Sequence, residues 1–286
     1  MNNAVDLHVH STFSDGTYTP KELVALAAAK ELRAMALTDH DTVAGVPEAL
    51  AAASAYPKLE ILPGVELSCE YENKEVHMLG LLIDPADQTV QIHLKEFQDG
   101  RTNRNRKMVE LLAEHGLAID YEDLLAENPD CVITRANIAR YLVEHQLVAD
   151  RNTVFAKYLG DHCCCFVPRK KISPVDAIGL IHQAGGLAFL AHPILYHFSD
   201  DALDTFVQKL CDAGLDGIEA IYSTYHAVDE RNIKELARRH HLLLSGGSDF
   251  HGENKPKIQL GTGLGRMYVP YELVEKMRKS ILYRRK

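Results

Sequence analysis

The sequence predicts an α/β protein with a parallel sheet closed into a barrel and a helical insertion in its middle. Three observations predict it. Short apolar runs alternate with amphipathic helical patterns over the first 88 residues. Between about residues 89 and 166 the alternation stops and the chain reads as polar, arginine-containing helix. From residue 167 onward the strand–helix rhythm resumes. Alternating strands and helices favour a parallel sheet with helices outside it, and this many units in one domain favour a barrel over an open sheet. The expected organisation is a barrel of residues 1–88 and 167–286, with residues 89–166 as an inserted cap at one end.

Each element has its own local signal. "AVDLHVH" reads as a strand, and "TPKELVALAAAKE" as a helix with Thr19 as N-cap, Pro20 at the first helical position and Glu22 closing a capping box. "RAMALTDHD" is a second strand, "VPEALAAASAY" a second helix and "LEILPGVELSC" a third strand, with "KEVHMLGLLI" as a strand paired with it. The insertion contains "RTNRNRKMVELLAEHG", "YEDLLAEN" and "TRANIARYLVEHQ". Ser173, Pro174 and Asp176 then start a helix, followed by "LAFLAHP", "DALDTFVQKLCDAG", "DGIEAIYS", "DERNIKELARRHH" and "LLLSGGSDFHG". There is no internal repeat of fixed period.

Composition narrows the function classes. The 286 residues are 46% hydrophobic and 25% charged, as in an ordinary globular protein that can bury a full core. A net charge of −9 argues against a surface that coats nucleic acid, so stable duplex binding is not expected, although a local basic pocket is compatible with it. No stretch approaches the roughly 20 apolar residues of a membrane span, and the start lacks a secretory leader. The expectation is therefore a cytoplasmic protein. Six cysteines fit reduced thiols, and the run Cys163, Cys164, Cys165 reads as buried thiols on a strand or turn. The basic end, "RKSILYRRK", reads as a solvated helix terminus, where positive charge suits the dipole.

The chemistry-bearing residues follow the apolar runs. His8 and His10 end the first strand, His40 the second and Glu66 the third; His77 lies on the next. His192 follows "LAFLA", and Asp249 and His251 follow "LLLSGG"; Asp15 lies on the first loop. Barrel active sites collect at the C-terminal ends of strands, so these side chains should converge. A single histidine at a strand end is usually a satisfied polar residue. Nine nitrogen and oxygen donors after separate apolar runs are different, because each buried uncompensated polar group costs on the order of 1–3 kcal/mol. A polynuclear metal cluster accounts for all of them. Histidine with carboxylates and no cysteine suits two to three divalent ions of Zn, Mn or Fe.

Six motifs in order, "HVHSTFSDG", "LTDHDT", "PGVE", "VHMLG", "AHP" and "GSDFHG", resemble those of the polymerase and histidinol phosphatase (PHP) family. Each is weak alone, and the ordered set spans nearly the whole chain outside the insertion. The resemblance implies a distorted (β/α)7 TIM-like barrel with a trinuclear site. It implies one metal on His8, His10, Glu66 and Asp249, a second on Glu66, His77 and His192, and a third on Asp15, His40 and His251. Glu66, Asp249 and His192 would then carry the catalysis. The expected reaction is hydrolysis of a phosphate monoester by direct attack of a metal-bridging hydroxide, without a phosphoenzyme.

Substrate contacts are sought in and around the insertion. Arg101, Arg104 and Lys107 share a helix face, and side chains of this kind are usually solvated. Arg135 stands at a helix start, where a guanidinium and backbone N–H groups can together grip a phosphate, with Asn137 close by. Arg169 and Lys170, at the return to the barrel, and His226, on a loop, are further candidates. Within the family, an insertion of this size resembles that of the stand-alone nucleotide phosphoesterases. The implied substrate is a nucleoside 3',5'-bisphosphate, losing its 3'-phosphate, or short 5'-phosphorylated RNA, with residues 89–166 contributing to its binding. A histidinol-phosphate phosphatase is the runner-up, and a non-catalytic metal-binding module a further alternative. An amidohydrolase is disfavoured by the lack of a strand-end lysine that could carry a carbamate.

Overall fold

The computed structural model describes residues 3–284. Eight strands form one nearly closed barrel: β1 (Ala4–Val9), β2 (Ala34–Leu37), β3 (Glu60–Tyr71), β4 (Lys74–Leu81), β5 (Leu187–Leu190), β6 (Gly217–Tyr222), β7 (Leu243–Gly247) and β8 (Val269–Pro270). Their order is β7-β6-β5-β4-β3-β2-β1-β8. The eighth strand, absent from the seven-stranded expectation, is a two-residue piece antiparallel to the start of β1.

The sheet is mixed, which corrects the all-parallel expectation. β1–β2–β3 and β5–β6–β7 are parallel, but β4 is antiparallel to both β3 and β5. The cause is local: β3 and β4 are joined by Glu72 and Asn73 alone, both at positive φ (50° and 61°). Two such residues make the tight turn whose twist suits an antiparallel hairpin, whereas a parallel neighbour needs a crossover of a dozen residues or more. His77 thereby sits opposite Ser68, two residues from Glu66.

Near the site, β1 is joined to the segment after β7 by hydrogen bonds from Asp249 N to His8 O (2.9 Å) and from His10 N to Phe250 O (3.0 Å). The seam is tight enough to require Gly247, where an added Cβ would lie 2.4 Å from that of His8.

The helices are α1 (Pro20–Ala29), α2 (Val46–Ala53), α3 (Gln88–Glu114), α4 (Tyr121–Glu127), α5 (Arg135–Glu144), α6 (Arg151–Val154), α7 (Pro174–Gln183), α8 (Asp200–Asp212), α9 (Ala227–Arg239) and α10 (Glu272–Arg284). α6 runs into a π-helical turn, Phe155–Leu159. The Thr19/Glu22 capping box forms as expected, and Ser173 caps α7. Val5, Leu7, Ala36, Leu62, Leu79 and Phe189 meet Leu273, Val274 and Met277 of α10, filling the barrel interior. A larger buried cluster joins the strands to the outer helices. A third, including Met108, Leu112, Leu124, Ile138, Leu142 and Leu159, belongs to the helices between β4 and β5.

Two local expectations are modified. Of the cysteine run only Cys165 is buried; Cys163 is half-buried and Cys164 exposed, because the run lies in a turn where successive side chains cannot all point inward. The basic C-terminal stretch is solvent-exposed as expected but not wholly unpaired, since Arg278 meets Glu60 and Arg284 meets Asp216; its last two residues lie outside the described ones. No helix among the described residues is long and apolar enough to cross a membrane.

Candidate metal centre

Glu66, midway along β3, is the hub of a buried histidine–carboxylate cluster. Its Oε1 lies 2.9 Å from His77 Nδ1 and 3.0 Å from His192 Nε2. Its Oε2 lies 3.3 Å from His8 Nε2, 3.2 Å from His10 Nε2 and 3.1 Å from His40 Nδ1. Asp249 Oδ1 faces His8, His10 and His251 at 3.6, 3.3 and 3.3 Å. Asp15 Oδ1 faces His251 at 3.2 Å and His40 at 3.8 Å. All nine side chains singled out in the sequence as candidate ligands are thus brought together from six strands, or the residues just after them, and one loop.

The cluster's own hydrogen bonds do not satisfy it. His8 Nε2, His10 Nε2, Asp15 Oδ1, His40 Nδ1 and His192 Nδ1 are buried without a hydrogen-bond partner. Leaving such atoms unpaired is expensive, and a cation accepting their lone pairs removes the cost. Within this cluster three groups have ligand atoms close enough to share an ion: His8, His10 and Glu66; His40, Glu66 and His77; and His10, Asp15, His40 and His251. The donor set therefore fits divalent metal, and its nitrogen and oxygen character suits Zn, Mn or Fe.

Electrostatics point the same way. Burial alone would strip the proton from His8, yet the Glu66, Glu219 and Asp249 carboxylates outweigh it and hold the imidazole well above its usual range. The same balance raises His10 to about 9 and His77 to about 10. His40 goes the other way, to about 3, because burial prevails there over Glu66 and Asp15. Burial opposes ionisation of Glu66, but the surrounding histidines keep its carboxyl well below the usual range. Bound protons thus supply positive charge that metal ions would supply on loading, so metal uptake should release protons.

Two backbone positions at the centre are held at positive φ, His192 (25°) and Asp249 (55°). Such conformations persist in non-glycine residues only where the surroundings enforce them, and they cluster at functional sites. Here Glu219 enforces one, accepting from His192 N at 2.8 Å. Glu219 Oε1 also lies 3.1 Å from His8 Nδ1, which leaves Nε2 to face Glu66. Glu219 has only a faint signal in the sequence, a single charge inside the apolar run "GIEAIY". Glu219→Ala should lower metal affinity or kcat/KM by about 10- to 100-fold, as loss of such an orienting carboxylate usually does. Elemental analysis and steady-state kinetics would check this, and full metal content with full activity would contradict it.

Other supporting residues were also missed. Tyr222 donates its hydroxyl to Asp249 Oδ2 at 2.6 Å, and Lys255 Nζ lies 2.6 Å from the same oxygen. Asp6 accepts from Ser248 N (2.8 Å) and Gly261 N (2.7 Å), fixing the loop that carries Asp249; burial raises its carboxyl to about 6. Asp41, beside His40, binds Arg101 Nη2 at 2.7 Å and Arg169 Nη2 at 3.0 Å, with all three side chains buried. Arg101 and Arg104 are therefore not solvated as expected, and only Lys107 of that trio is exposed. The reason is that α3 packs this face against the barrel mouth.

A cleft of about 350 Å³ adjoins the centre, lined by Asp15, His40, His77 and His192 of the cluster together with Glu75, Arg101, Arg104, Arg135 and Arg169. Arg135 binds Glu75 (3.2 Å) and Asp161 (2.8 Å). Asn137 does not line the cleft: it is buried, accepting from Thr134 N at 2.8 Å and donating to Ser14 O at 3.1 Å. That structural task follows from its place in the α5 capping box, and Thr134 in turn donates to Asp15 Oδ2 at 3.1 Å. His226 is exposed at the start of α9, away from the lining residues.

A profile of the PHP domain matches residues 6–159. The chain is 40% identical over 260 residues to a 3',5'-nucleoside bisphosphate phosphatase of Chromobacterium violaceum, covering 90% of each chain. It is 37% identical to the 5'-3' exoribonuclease Rnm of Salmonella typhimurium, covering 91% of this chain and 88% of that one. Among solved structures it superimposes on a protein of Bifidobacterium adolescentis assigned as a metal-dependent phosphoesterase, with TM-score 0.85 and 31% identity over 96% of this chain and 94% of that one. Neither sequence alternative, a histidinol-phosphate phosphatase or a non-catalytic module, is favoured by these relatives.

Proposed function

The chain belongs to the PHP family and is a metal-dependent phosphoesterase, and from that premise we propose that it removes the 3'-phosphate of nucleoside 3',5'-bisphosphates and also acts on short 5'-phosphorylated RNA. The observation that carries the reading is the cleft itself: members of an unsatisfied histidine–carboxylate cluster and four arginines line one cavity of about 350 Å³. A substrate with a scissile phosphate and a second anion matches both. The two relatives' substrates, nucleoside bisphosphates and RNA, have that character.

In this reading His8, His10, Glu66 and Asp249 would hold one ion, Glu66, His77 and His192 a second, and Asp15, His40 and His251 a third. Divalent metals supply hydroxide at neutral pH and neutralise phosphoryl oxygens, so no serine or cysteine nucleophile is needed. The chain's own contribution is orientation. Glu219 sets the His8 tautomer and the His192 backbone, while Tyr222 and Lys255 occupy the outer oxygen of Asp249 and leave Oδ1 facing the histidines. The helices of residues 89–166 serve as a cap, carrying Arg101, Arg104 and Arg135 to the cleft and steadying Asp15 through Thr134.

The test is a substrate panel of nucleoside 3',5'-bisphosphates, histidinol phosphate and short 5'-phosphorylated RNA, assayed with Mn, Zn and Fe. Bisphosphates should be the best substrates, and a chelator should abolish phosphate release. Preference for histidinol phosphate, or turnover that survives complete metal removal, would reject the reading.

A further inference from the structure

The basic side chains around the cleft differ in one respect. Arg101 and Arg169 share Asp41, Arg135 binds Glu75 and Asp161, and Lys171 binds Glu75 at 3.2 Å. Arg104 forms no ion pair among the described residues. It is 7% exposed, and its Nε and Nη2 are buried without a hydrogen-bond partner. An unpaired guanidinium held out of water is costly, and the side chain stays charged in ordinary conditions even with burial and the neighbouring Arg101, Arg169 and Arg135 lowering it to about 9. Glu75, which also lines the cleft, offsets part of this charge, but it is already paired with Arg135 and Lys171 and makes no ion pair with Arg104.

Arg104 also stands where two spaces meet. It lines the cleft over the histidine cluster and an adjoining groove of about 640 Å³ that includes Lys107 and Lys170. An anion bound by Arg104 therefore lies in the same cleft that the histidine cluster lines, so that both are open to one molecule with two phosphates.

We infer that Arg104 is the anchor for the non-scissile phosphate of the substrate, a phosphate monoester dianion whose oxygens complete its free N–H donors. The inference rests on the proposed phosphatase reading for the identity of the substrate, but not for the existence of the anion site. It displaces Arg135, the candidate favoured by sequence, because Arg135 is already neutralised by two carboxylates.

The experiment compares Arg104→Ala and Arg104→Lys with Arg135→Ala in the metal-loaded full chain. The readout is the ratio of kcat/KM for adenosine 3',5'-bisphosphate to that for adenosine 3'-monophosphate. Loss of a charge-assisted contact should lower this ratio by about 10- to 100-fold in R104A, through KM, with partial recovery in R104K and a smaller change in R135A. Calorimetric binding of adenosine 5'-monophosphate should weaken by a similar factor in R104A, while circular dichroism verifies the fold. An unchanged ratio in folded R104A, or a larger fall in R135A, would overturn the assignment. If the wild-type chain hydrolyses neither nucleotide, the proposed function fails; weakened binding of adenosine 5'-monophosphate in R104A would then still support the anion site, and unchanged binding would reject it.

Discussion

Glu66→Ala should abolish activity, a loss on the order of a thousandfold or more in kcat/KM, together with loss of bound metal. No other side chain touches as many of the candidate ligands: its two oxygens face five imidazoles within 3.3 Å. It is buried, so water cannot replace the missing charge. Glu66→Gln is the sharper variant, since it keeps the volume and removes the charge; it too should fail to hold a full metal complement. The secondary structure should survive in both, because β3 is held by its ladders to β2 and β4. Elemental analysis, kinetics and circular dichroism decide the matter. A folded E66Q protein with full metal content and more than about a tenth of the activity would show that Glu66 is not the shared ligand.

Asp41→Ala should cost about 3–5 kcal/mol of stability, the usual consequence of removing one partner from a buried ion pair. Asp41 Oδ2 meets Arg101 and Arg169, whose side chains are 7% and 5% exposed, and its Oδ1 accepts from Ser68 N at 2.9 Å. Its backbone carbonyl accepts from Gln98 of α3 at 3.0 Å, and its own φ is 53°. Removing the carboxylate would leave three buried guanidinium groups, counting Arg104, in one region, with only Glu75, itself paired with Arg135 and Lys171, to offset them. The effect should be visible in urea unfolding, and inorganic sulfate or phosphate should recover part of it by occupying the cleft. Arg101→Met added to Asp41→Ala should also restore stability, since it removes one of the stranded charges. A loss below about 1 kcal/mol for Asp41→Ala alone would mean that the network is more hydrated than its burial implies.

The two variants probe parts of the molecule that were unequally legible in the sequence. The barrel strands were readable because their apolar runs are continuous and their helices carry explicit start signals, such as Thr19 with Glu22 and Ser173 with Asp176. The candidate ligands were readable because most of them stand at the end of such a run, with His77 inside one and Asp15 on the first loop. The antiparallel course of β4 was not, because Glu72 and Asn73 reach positive φ without the glycine that usually announces that turn. Glu219, Asp41 and Arg104 were not legible either. A charged residue in a strand or helix has the same local pattern whether it faces water or a partner more than a hundred residues away.

By itself, therefore, the sequence determined the element types, the barrel class, the nine candidate ligands and the family. These depend on periodicity and on short motifs, which are properties of neighbouring residues. Only the tertiary structure decided how charge is balanced around them: that Glu219 orients His8, that Asp41 consumes two arginines, that Asn137 is spent on a helix cap, and that Arg104 is left unpaired. The physical reason is that electrostatic partnership and burial depend on distance in space, and the fold brings His8 to Glu219 and Asp41 to Arg169 across 211 and 128 positions of chain.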